Sequence, residues 1–295
     1  MMERSATIMG AIIGDTIGST YEFNPTKDYN FPLYDDAMNY TDDSITTIAV
    51  ADWILKDESL SSERLIHTMR YYGNKYNPPK GGYGHLFSEW LRHAEMKAYN
   101  SWGNGSAMRV SPCAWLMDCG FCARTGMTPS TRKLARLSAE VTHNHPEGIK
   151  GAMATTDAIF LCRYYFGGYC GDYEQPINDN PTECKRQIKD YIEQEYGYNL
   201  SQTLDEIRPN YRFNETCQDT VPQAIIAFLE STDFEDAIRN AISLGGDSDT
   251  LAAITGSIAE AAYGIPDWIK EKAYSYLDEP LKNVISRWKK FIPGG

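Results

Sequence analysis

Apolar residues in this chain recur at the spacing of an α-helix, and this periodicity limits the folds open to it. One helix face is visible in Phe234, Ala237, Ile238, Ala241 and Ile242. The strict alternation of apolar and polar residues that is typical of a half-buried strand is nearly absent. No linker, repeat or low-complexity tract divides the 295 residues. The sequence therefore predicts an all-α fold, a compact single domain over residues 1–295 built from many helices.

Local signals predict where two of the later helices begin and end. Thr232 followed by Glu235 has the pattern of a capping box, and Gly245 is placed to end the same helix. A second helix, rich in small residues, is expected to begin near Thr250 and to end near Gly264. The small side chains predict close contacts between helices.

Three glycines near the start of the chain repeat every four residues. Gly10, Gly14 and Gly18 form one stripe of a predicted helix. Asp15 favours a buried helix over a membrane span, and no apolar run is long enough to cross a bilayer. The same residues interrupt any signal-peptide core. We therefore expect a soluble, cytoplasmic protein without a membrane partner.

Charge and cysteine content exclude two further classes of protein. The formal net charge is −12 and the sequence pI is about 4.9, so a nucleic-acid partner is unlikely on electrostatic grounds. The seven cysteines are scattered, and their odd number does not fit a disulfide framework. Cys119 and Cys122 form a CxxC without a second pair at zinc spacing, so we expect ordinary packed thiols there.

Two adjacent aspartates, Asp42 and Asp43, lie between Thr41 and Ser44 at the start of a predicted helix. These residue types favour helix N-caps, so an ordinary cap is one interpretation. A cap does not need two neighbouring carboxylates, and consecutive residues at a helix start diverge by about 100°. Asp42 and Asp43 could therefore each address a different cation, with Thr41 adding a hydroxyl ligand.

A second acidic cluster follows the pair Gly245-Gly246 and again leads into a helix. It consists of Asp247, Asp249 and Thr250, and by itself it is also compatible with a helix cap. Together the two clusters offer four carboxylates and two threonine hydroxyls. Such an oxygen-only set suits Mg²⁺ or Mn²⁺ rather than zinc or copper.

A glycine-rich segment at 102–109 carries donors that could wrap an anion: Gly103, Asn104, Gly105 and Ser106. It is neither a P-loop nor a Rossmann turn. An ordinary loop with Arg109 in a structural ion pair is an equally open interpretation.

Two histidines, His143 and His145, end the predicted helix that carries Leu134, Leu137 and Val141. A helix C-terminus favours histidine through its dipole, so both could be structural. That interpretation is stronger for His145 than for His143, which leaves His143 as the better candidate for ligand binding.

Five segments of the chain resemble the motifs of the ADP-ribosylglycohydrolase family, including its dinitrogenase-reductase-activating members. They are GAIIGDTIGSTYE, YTDDS, GNGSAMRVSP, THNHPEG and GGDSDTLAAITG, and they span about Gly10 to Gly264. Each motif alone is modest, but five in the order and spacing of the family are specific. The resemblance implies a compact helical bundle that holds two Mg²⁺ (or Mn²⁺) ions. It also implies cleavage of the glycosidic bond at the ribose anomeric carbon of an ADP-ribosylated protein or small molecule.

The resemblance assigns roles to single residues. The two metal-ligand sets are Thr41, Asp42 and Asp43, and Asp247, Asp249 and Thr250. The positions that hold the ribose and pyrophosphate are Gly103, Asn104, Gly105, Ser106 and His143. Ser44 departs from the more usual second threonine after the paired aspartates, but Thr41 supplies a matching hydroxyl.

Glu22 matches the acidic residue that follows the N-terminal glycine helix of the family, near the metals and the reacting ribose. Glycoside cleavage passes through an oxocarbenium-like state, which requires an activated water and help for the leaving group. Either Glu22 or Asp43 could supply this acid/base catalysis. A purely structural helix-end carboxylate is the other interpretation of Glu22.

Two functions other than ADP-ribosyl hydrolysis are alternatives for this sequence. A helical magnesium phosphohydrolase or prenyl-transfer enzyme is disfavoured, because no aspartate follows Asp42-Asp43 three residues later and no His-Asp pair is present. A catalytically silent ADP-ribose-binding or structural relative of the same fold stays an alternative. The loop 214–222, before a helix expected at Gln223, is a candidate for shaping specificity. The motifs select neither the linkage that is cleaved, such as arginine, serine, acetyl or a base, nor an oligomeric state.

Overall fold

The computed structural model describes residues 7–116, 131–167, 169–170, 173–174 and 180–292. These residues contain fifteen helices and one hairpin of two-residue strands, β1 Tyr169–Cys170 and β2 Tyr173–Glu174. The helices are α1 Met9–Gly18, α2 Asp42–Lys56, α3 Ser62–Lys75, α4 His85–Arg92, α5 Gly105–Met108, α6 Ser111–Trp115, α7 Thr131–Glu140, α8 Pro146–Gly167, α9 Pro181–Tyr196, α10 Leu204–Ile207, α11 Cys217–Glu230, α12 Phe234–Ser243, α13 Ser248–Tyr263, α14 Asp267–Tyr276 and α15 Glu279–Phe291. The predicted all-α fold is confirmed.

Helix α13 is the centre of the bundle and packs against α1, α8, α11 and α12. Every residue from Ser248 to Ala262 is buried. A helix buried on all sides needs small side chains if its neighbours are to approach it, and this explains the alanines and glycine of its sequence. The helix ends before Gly264, whose φ of 73° ends it in the left-handed region. The helix expected between Thr250 and Gly264 is therefore confirmed.

Helices α1 and α13 touch through their backbones. A Cβ placed on Gly14 would lie 2.0 Å from the Ala252 carbonyl oxygen, and one on Gly18 would lie 2.4 Å from the Asp249 Cα. Gly10 meets the same helix further along, so the predicted glycine stripe is the surface that allows this contact. Any side chain on these positions would force the two helices apart.

Glu260 of α13 fixes the start of α1. Its carboxylate accepts hydrogen bonds from the backbone N–H of Thr7 at 2.9 Å and of Gly10 at 2.8 Å. Those amides precede or begin a helix and have no partner within it, so the carboxylate satisfies donors that would otherwise be buried unpaired. The two helices are thus joined at the start of α1 as well as along the glycine stripe.

The cap of α12 lies one residue later than expected. Asp233 is the N-cap, and its side chain accepts from the Asp236 N–H at 2.9 Å. The Asp236 carboxylate accepts from the Thr232 N–H at 2.8 Å, and Glu235 is not part of this arrangement. The predicted capping box of Thr232 and Glu235 is therefore wrong, because the adjacent aspartate is at least as good a cap as threonine.

Helix α11 also differs from its predicted extent. It begins at Cys217 instead of Gln223, so Pro222 lies inside it and the preceding loop stops at Thr216. Pro222 was expected to end the loop before the helix, but it is accommodated in the second turn. The predicted helix that carries Leu134 is confirmed as α7.

Cys113, Cys162, Cys184 and Cys217 are buried, whereas Cys119 and Cys122 lie outside the described residues. In the part of the chain that the structure describes, no helix combines the length and the apolar character needed to cross a membrane.

The glycine contact predicts that Gly14→Ala lowers the free energy of unfolding by about 1–3 kcal/mol, because the new methyl group overlaps the backbone of α13. Gly84→Ala is the matched control, since a Cβ on Gly84 meets no atom within 4 Å. Denaturant unfolding of both variants measures the difference. Equal midpoints for Gly14→Ala and the parent chain would show that the two backbones are not in contact.

Candidate functional site

One cleft in the described residues collects the chemically active side chains. It has a volume of about 370 Å³ and is lined by residues from the segments 22–23, 42–46, 81–87, 103–105 and 247–250. Two of these segments are the starts of α2 and α13, so the close packing of α1 and α13 and the position of α2 fix the floor of the cleft. The remaining segments form its walls and consist of loops together with the starts of α4 and α5.

The two acidic clusters meet in this cleft although about 200 residues separate them in sequence. The Thr41 Oγ1 lies 3.3 Å from Asp249 Oδ2, and the Thr250 Oγ1 lies 3.4 Å from Asp43 Oδ2. Asp42, Asp43, Asp247, Asp249 and Thr250 line the cleft, whereas Thr41 stands behind them. The structure thus brings all six predicted ligand residues into one place.

Helix capping explains only one of the two clusters. Thr41 is the N-cap of α2, and its hydroxyl accepts from the Asp43 N–H at 3.4 Å. Asp247 occupies the N-cap position of α13, but its side chain caps nothing. Its carboxylate accepts instead from Asn104 Nδ2 at 2.7 Å. The carboxylate of Asp247 is therefore held for the cleft and not for the helix.

Asp15 supports the first cluster from behind. Its carboxylate accepts from the backbone N–H of Thr41 at 2.9 Å and of Ser44 at 3.0 Å, and from both hydroxyls. These donors occupy both oxygens, so Asp15 positions the start of α2 and does not face the cleft. Asp15 was not among the predicted site residues. The one local sign of its role was a single carboxylate within an otherwise apolar, glycine-striped helix.

The carboxylates of the cleft are held at high charge density. Burial raises the pKa of Asp42, Asp43 and Asp249 well above the usual range, and nearby carboxylates add to the effect. Burial also raises the pKa of Asp247 to about 7. Among the described residues, no lysine or arginine forms an ion pair with them. Such a cluster is expected to bind either protons or a cation.

The geometry of the cluster fits a divalent cation. The Asp43 Oδ1 is buried and has no hydrogen-bond partner. Two groups of carboxylates place one oxygen from each member within 4.8 Å of the others: Asp15, Asp43 and Asp249, and Glu22, Asp247 and Asp249. Because the oxygens of Asp15 are already occupied, Asp43 and Asp249 are the open members of the first group. Hard oxygen ligands of this kind suit Mg²⁺ or Mn²⁺.

Glu22 reaches the cleft from the segment after α1 and is half-buried. A Cβ on Gly81 would lie 2.8 Å from Glu22 Oε2, and Gly81 has a φ of 78°. The loop that begins there can approach the carboxylate only because this residue is glycine. Burial, together with the charge of Asp249, raises the pKa of Glu22 to about 8. A carboxylate of this kind can both give and take a proton near neutral pH.

The glycine-rich segment forms another part of the cleft wall. Gly103, Asn104 and Gly105 line the cleft together with His143. The Ser106 hydroxyl is buried and donates to the Gly148 carbonyl at 2.7 Å, so this side chain does not face the cleft.

Arg109 forms no ion pair among the described residues, contrary to the structural interpretation of this segment. It is buried and hydrogen-bonded to the carbonyl of Ser138 and the hydroxyl of Thr142.

The two histidines have different environments. His143 is only 6% exposed and lines the cleft. Burial, with a contribution from the nearby Arg109, lowers its pKa well below the usual range, so the ring is neutral. His145 packs its ring against Trp102 with centroids 5.5 Å apart, and its Nδ1 accepts from the Glu147 N–H. The contacts of His145 agree with a structural role.

Several cleft residues were not among the predicted site residues. They are Phe23, Gly81, Gly82, Tyr83 and Tyr99. The run of glycines and proline around residues 78–84 is the one local pattern that could have identified a binding loop there. Tyr99 reaches the cleft only through the tertiary fold, whereas Glu215 belongs to the loop 214–222 that was expected to shape specificity.

A family model described as ADP-ribosylglycohydrolase matches residues 5–289. The chain is 26% identical to the ADP-ribosylhydrolase ARH3 of Homo sapiens over 316 residues, which covers 88% of this chain and 84% of that protein. It is 25% identical to the ADP-ribosylarginine hydrolase Tri1 of Pseudomonas putida over 299 residues, which covers 91% and 73%.

A solved structure agrees in fold. It is described as an ADP-ribosylglycohydrolase-related protein complex, and it superposes with a TM-score of 0.67 at 20% identity. The superposition covers 98% of this chain and 97% of that one.

The raised pKa values predict how the metal-free protein responds to pH. The folded state holds protons on these carboxylates that the unfolded chain, with pKa values near 4, releases earlier. In a chelator, the stability that these bound protons contribute is therefore present at low pH and is lost as the pH rises from about 4, where the unfolded chain releases them, to about 7 and above, where the folded protein releases them. Urea unfolding measures it.

Two variants separate the cluster from the general negative charge. Asp247→Asn should reduce the loss of unfolding free energy over this pH range by a few kcal/mol, because it removes one carboxylate whose pKa is raised. Asp28→Asn, which changes an exposed surface residue, should leave the slope as it is. The same pH dependence in all three proteins would mean that the cluster does not cause it.

Proposed function

Because this chain belongs to the ADP-ribosylglycohydrolase family, we propose that it is a metal-dependent hydrolase that releases ADP-ribose from an ADP-ribosylated protein or small molecule. The bond cleaved is the glycosidic bond at the ribose anomeric carbon. The observation that carries the proposal is the meeting of the two acidic clusters, where the buried Asp43 Oδ1 has no partner. The family match supplies the ADP-ribosyl substrate class.

The residues proposed to hold two Mg²⁺ (or Mn²⁺) ions are Thr41, Asp42, Asp43, Asp247, Asp249 and Thr250. Their oxygens form the donor set that these ions prefer, and the cluster has no cationic side chain paired with it among the described residues. When bound, such ions supply Lewis acidity and offset the charge of the cluster. Asp15 and Asn104 support this set by hydrogen bonds to Thr41 and Asp247.

Glu22 is proposed as the acid/base residue, with Asp43 as a ligand. Asp43 is 2% exposed and its Oδ2 already lies near two threonine hydroxyls, whereas Glu22 is half-buried and faces the open cleft. The Glu22 carboxylate can accept the proton of the attacking water, and in its protonated form it can donate to the leaving group. Its raised pKa keeps both forms accessible near neutral pH.

The wall formed by Gly103, Asn104, Gly105 and His143 is proposed to bind the ribose and phosphate portion of the substrate. The chain carries a net charge of −12, so an anionic ligand needs local donors to overcome the overall field. His143 is a neutral ring with hydrogen-bonding nitrogens in the cleft, and the glycines let a ligand approach the backbone closely.

A catalytically silent ADP-ribose-binding relative is the alternative. The complete set of proposed ligands and the presence of Glu22 in the cleft disfavour it, and turnover decides between the two.

We expect the protein to hydrolyse at least one member of a panel of ADP-ribosylated arginine, serine, acetyl and base substrates with Mg²⁺, and none in a chelator. Glu22→Gln should lower single-turnover hydrolysis about 10²–10⁴-fold, because the variant loses proton transfer. Calorimetric Mg²⁺ affinity should change little, because the variant keeps a side-chain carbonyl oxygen at this position and leaves the carboxylates of Asp247 and Asp249 unchanged. Asp247→Asn should weaken Mg²⁺ binding and turnover together, with partial recovery at high Mg²⁺.

Asp28→Asn, on the surface, is the control for loss of one negative charge. Near-normal turnover of Glu22→Gln, or loss of its activity only through loss of metal, would assign the proton transfer to another group. Binding of ADP-ribose without turnover of any substrate would favour the silent relative.

A further inference from the structure

Arg109 is a buried cation whose partners are neutral. Its Nη2 donates to the Ser138 carbonyl at 2.9 Å and to Thr142 Oγ1 at 2.6 Å, and its Nε has no partner. Burial lowers its pKa to about 10, so it stays charged at neutral pH. Burying a guanidinium without a carboxylate partner costs stability, and a residue that only filled this space would not need the charge.

Thr142 passes the effect of this charge to the next residue. Its Oγ1 lies 2.7 Å from His143 Nδ1. The Thr142 oxygen accepts the hydrogen bond of the guanidinium, so its own proton is free to be donated. The positive charge polarises the hydroxyl and makes it a stronger donor. The Tyr99 backbone N–H donates to the Thr142 carbonyl at 3.1 Å and holds this residue in place.

The tautomer of His143 follows from this arrangement. A neutral imidazole carries one proton, and an Nδ1 that accepts from Thr142 leaves that proton on Nε2. The Nε2 faces the glycine-rich wall, since a Cβ on Gly105 would lie 3.0 Å from it and one on Gly103 3.5 Å. A side chain at either position would therefore crowd the nitrogen that points to the ligand.

We propose that Arg109 and Thr142 are positioning residues that hold His143 as an Nε2–H donor directed at an acceptor oxygen of the bound nucleotide. That oxygen belongs to the phosphate or ribose portion of the substrate, and this half of the inference rests on the proposed function. The tautomer itself is a property of the free protein. We call the hydrogen-bonded series of Arg109, Thr142 and His143 the relay. It gives an acidic protein a hydrogen-bond donor of fixed direction that does not depend on protonating a histidine.

The tautomer can be observed directly in the full-length protein labelled with ¹⁵N-histidine. Long-range proton–nitrogen correlation spectra distinguish a protonated ring nitrogen from a bare one, and His143→Gln assigns one signal set among the five histidines. We expect a bare Nδ1 and a protonated Nε2 for His143 at neutral pH. A protonated Nδ1, or a doubly protonated ring, would overturn the inference without any variant.

Two threonine variants test the relay. Thr142→Val keeps the shape but removes the donor, so the spectrum should shift to Nδ1–H or to a mixture, whereas Thr142→Ser should keep the parent pattern. Titration with ADP-ribose in Mg²⁺ should show about tenfold weaker binding for Thr142→Val and near-parent binding for Thr142→Ser. Thr255→Val is the matched control, because it removes another buried threonine hydroxyl, which donates to Ala224 O at 2.9 Å.

The outcomes separate the parts of the proposal. An unchanged tautomer in a folded Thr142→Val would overturn the relay, and if that variant does not fold, the parent spectrum still decides. A shifted tautomer with unchanged ADP-ribose affinity would overturn the contact between Nε2 and the ligand. Failure of the parent chain to hydrolyse any ADP-ribosyl substrate would contradict the proposed function and leave the spectrum of the free protein as it is.

Discussion

The backbone contact between α1 and α13 is the constraint on which the rest of the site depends. Glycines on α1 bring the two backbones so close that a Cβ on Gly18 would lie 2.4 Å from the Asp249 Cα. Glu260 binds the start of α1 to the same helix. Asp15 follows Gly14 on α1, and its side chain accepts hydrogen bonds from the start of α2. One helix pair therefore fixes the separation of two acidic clusters that lie about 200 residues apart in sequence.

This rigid frame holds a cluster of negative charge that would otherwise separate. Burial raises the pKa values of these carboxylates, and their mutual repulsion adds to the rise. In the described part of the chain, no cationic side chain forms an ion pair with them. A bound cation or bound protons would offset this repulsion. The Asp43 Oδ1 has no hydrogen-bond partner and is available for such a contact. Glu22 and His143 line the same cleft as the cluster, so the residues proposed for proton transfer and for ligand binding lie beside the proposed metal ligands.

The sequence identifies what depends on local pattern. Helical periodicity, the glycine stripe and the two carboxylate pairs are short-range signals, and both the all-α class and the helix from Ser248 follow from them. It misses what depends on tertiary placement. Asp15 was interpreted only as a sign of a buried helix, because nothing local shows that its partners come from α2. The side chain of Ser106 turns to Gly148, which a motif cannot show. Helix α11 was expected to begin only after Pro222, because nothing local shows that this proline is accommodated inside a helix.

The central claim is that one helix contact joins two acidic clusters into a single site for two ions. The most direct measurement is electron paramagnetic resonance of the metal-free protein titrated with Mn²⁺. Because Asp249 belongs to both carboxylate groups, the account predicts two bound ions per chain whose spectra are magnetically coupled. A single uncoupled ion at saturation, or no bound Mn²⁺, would contradict it.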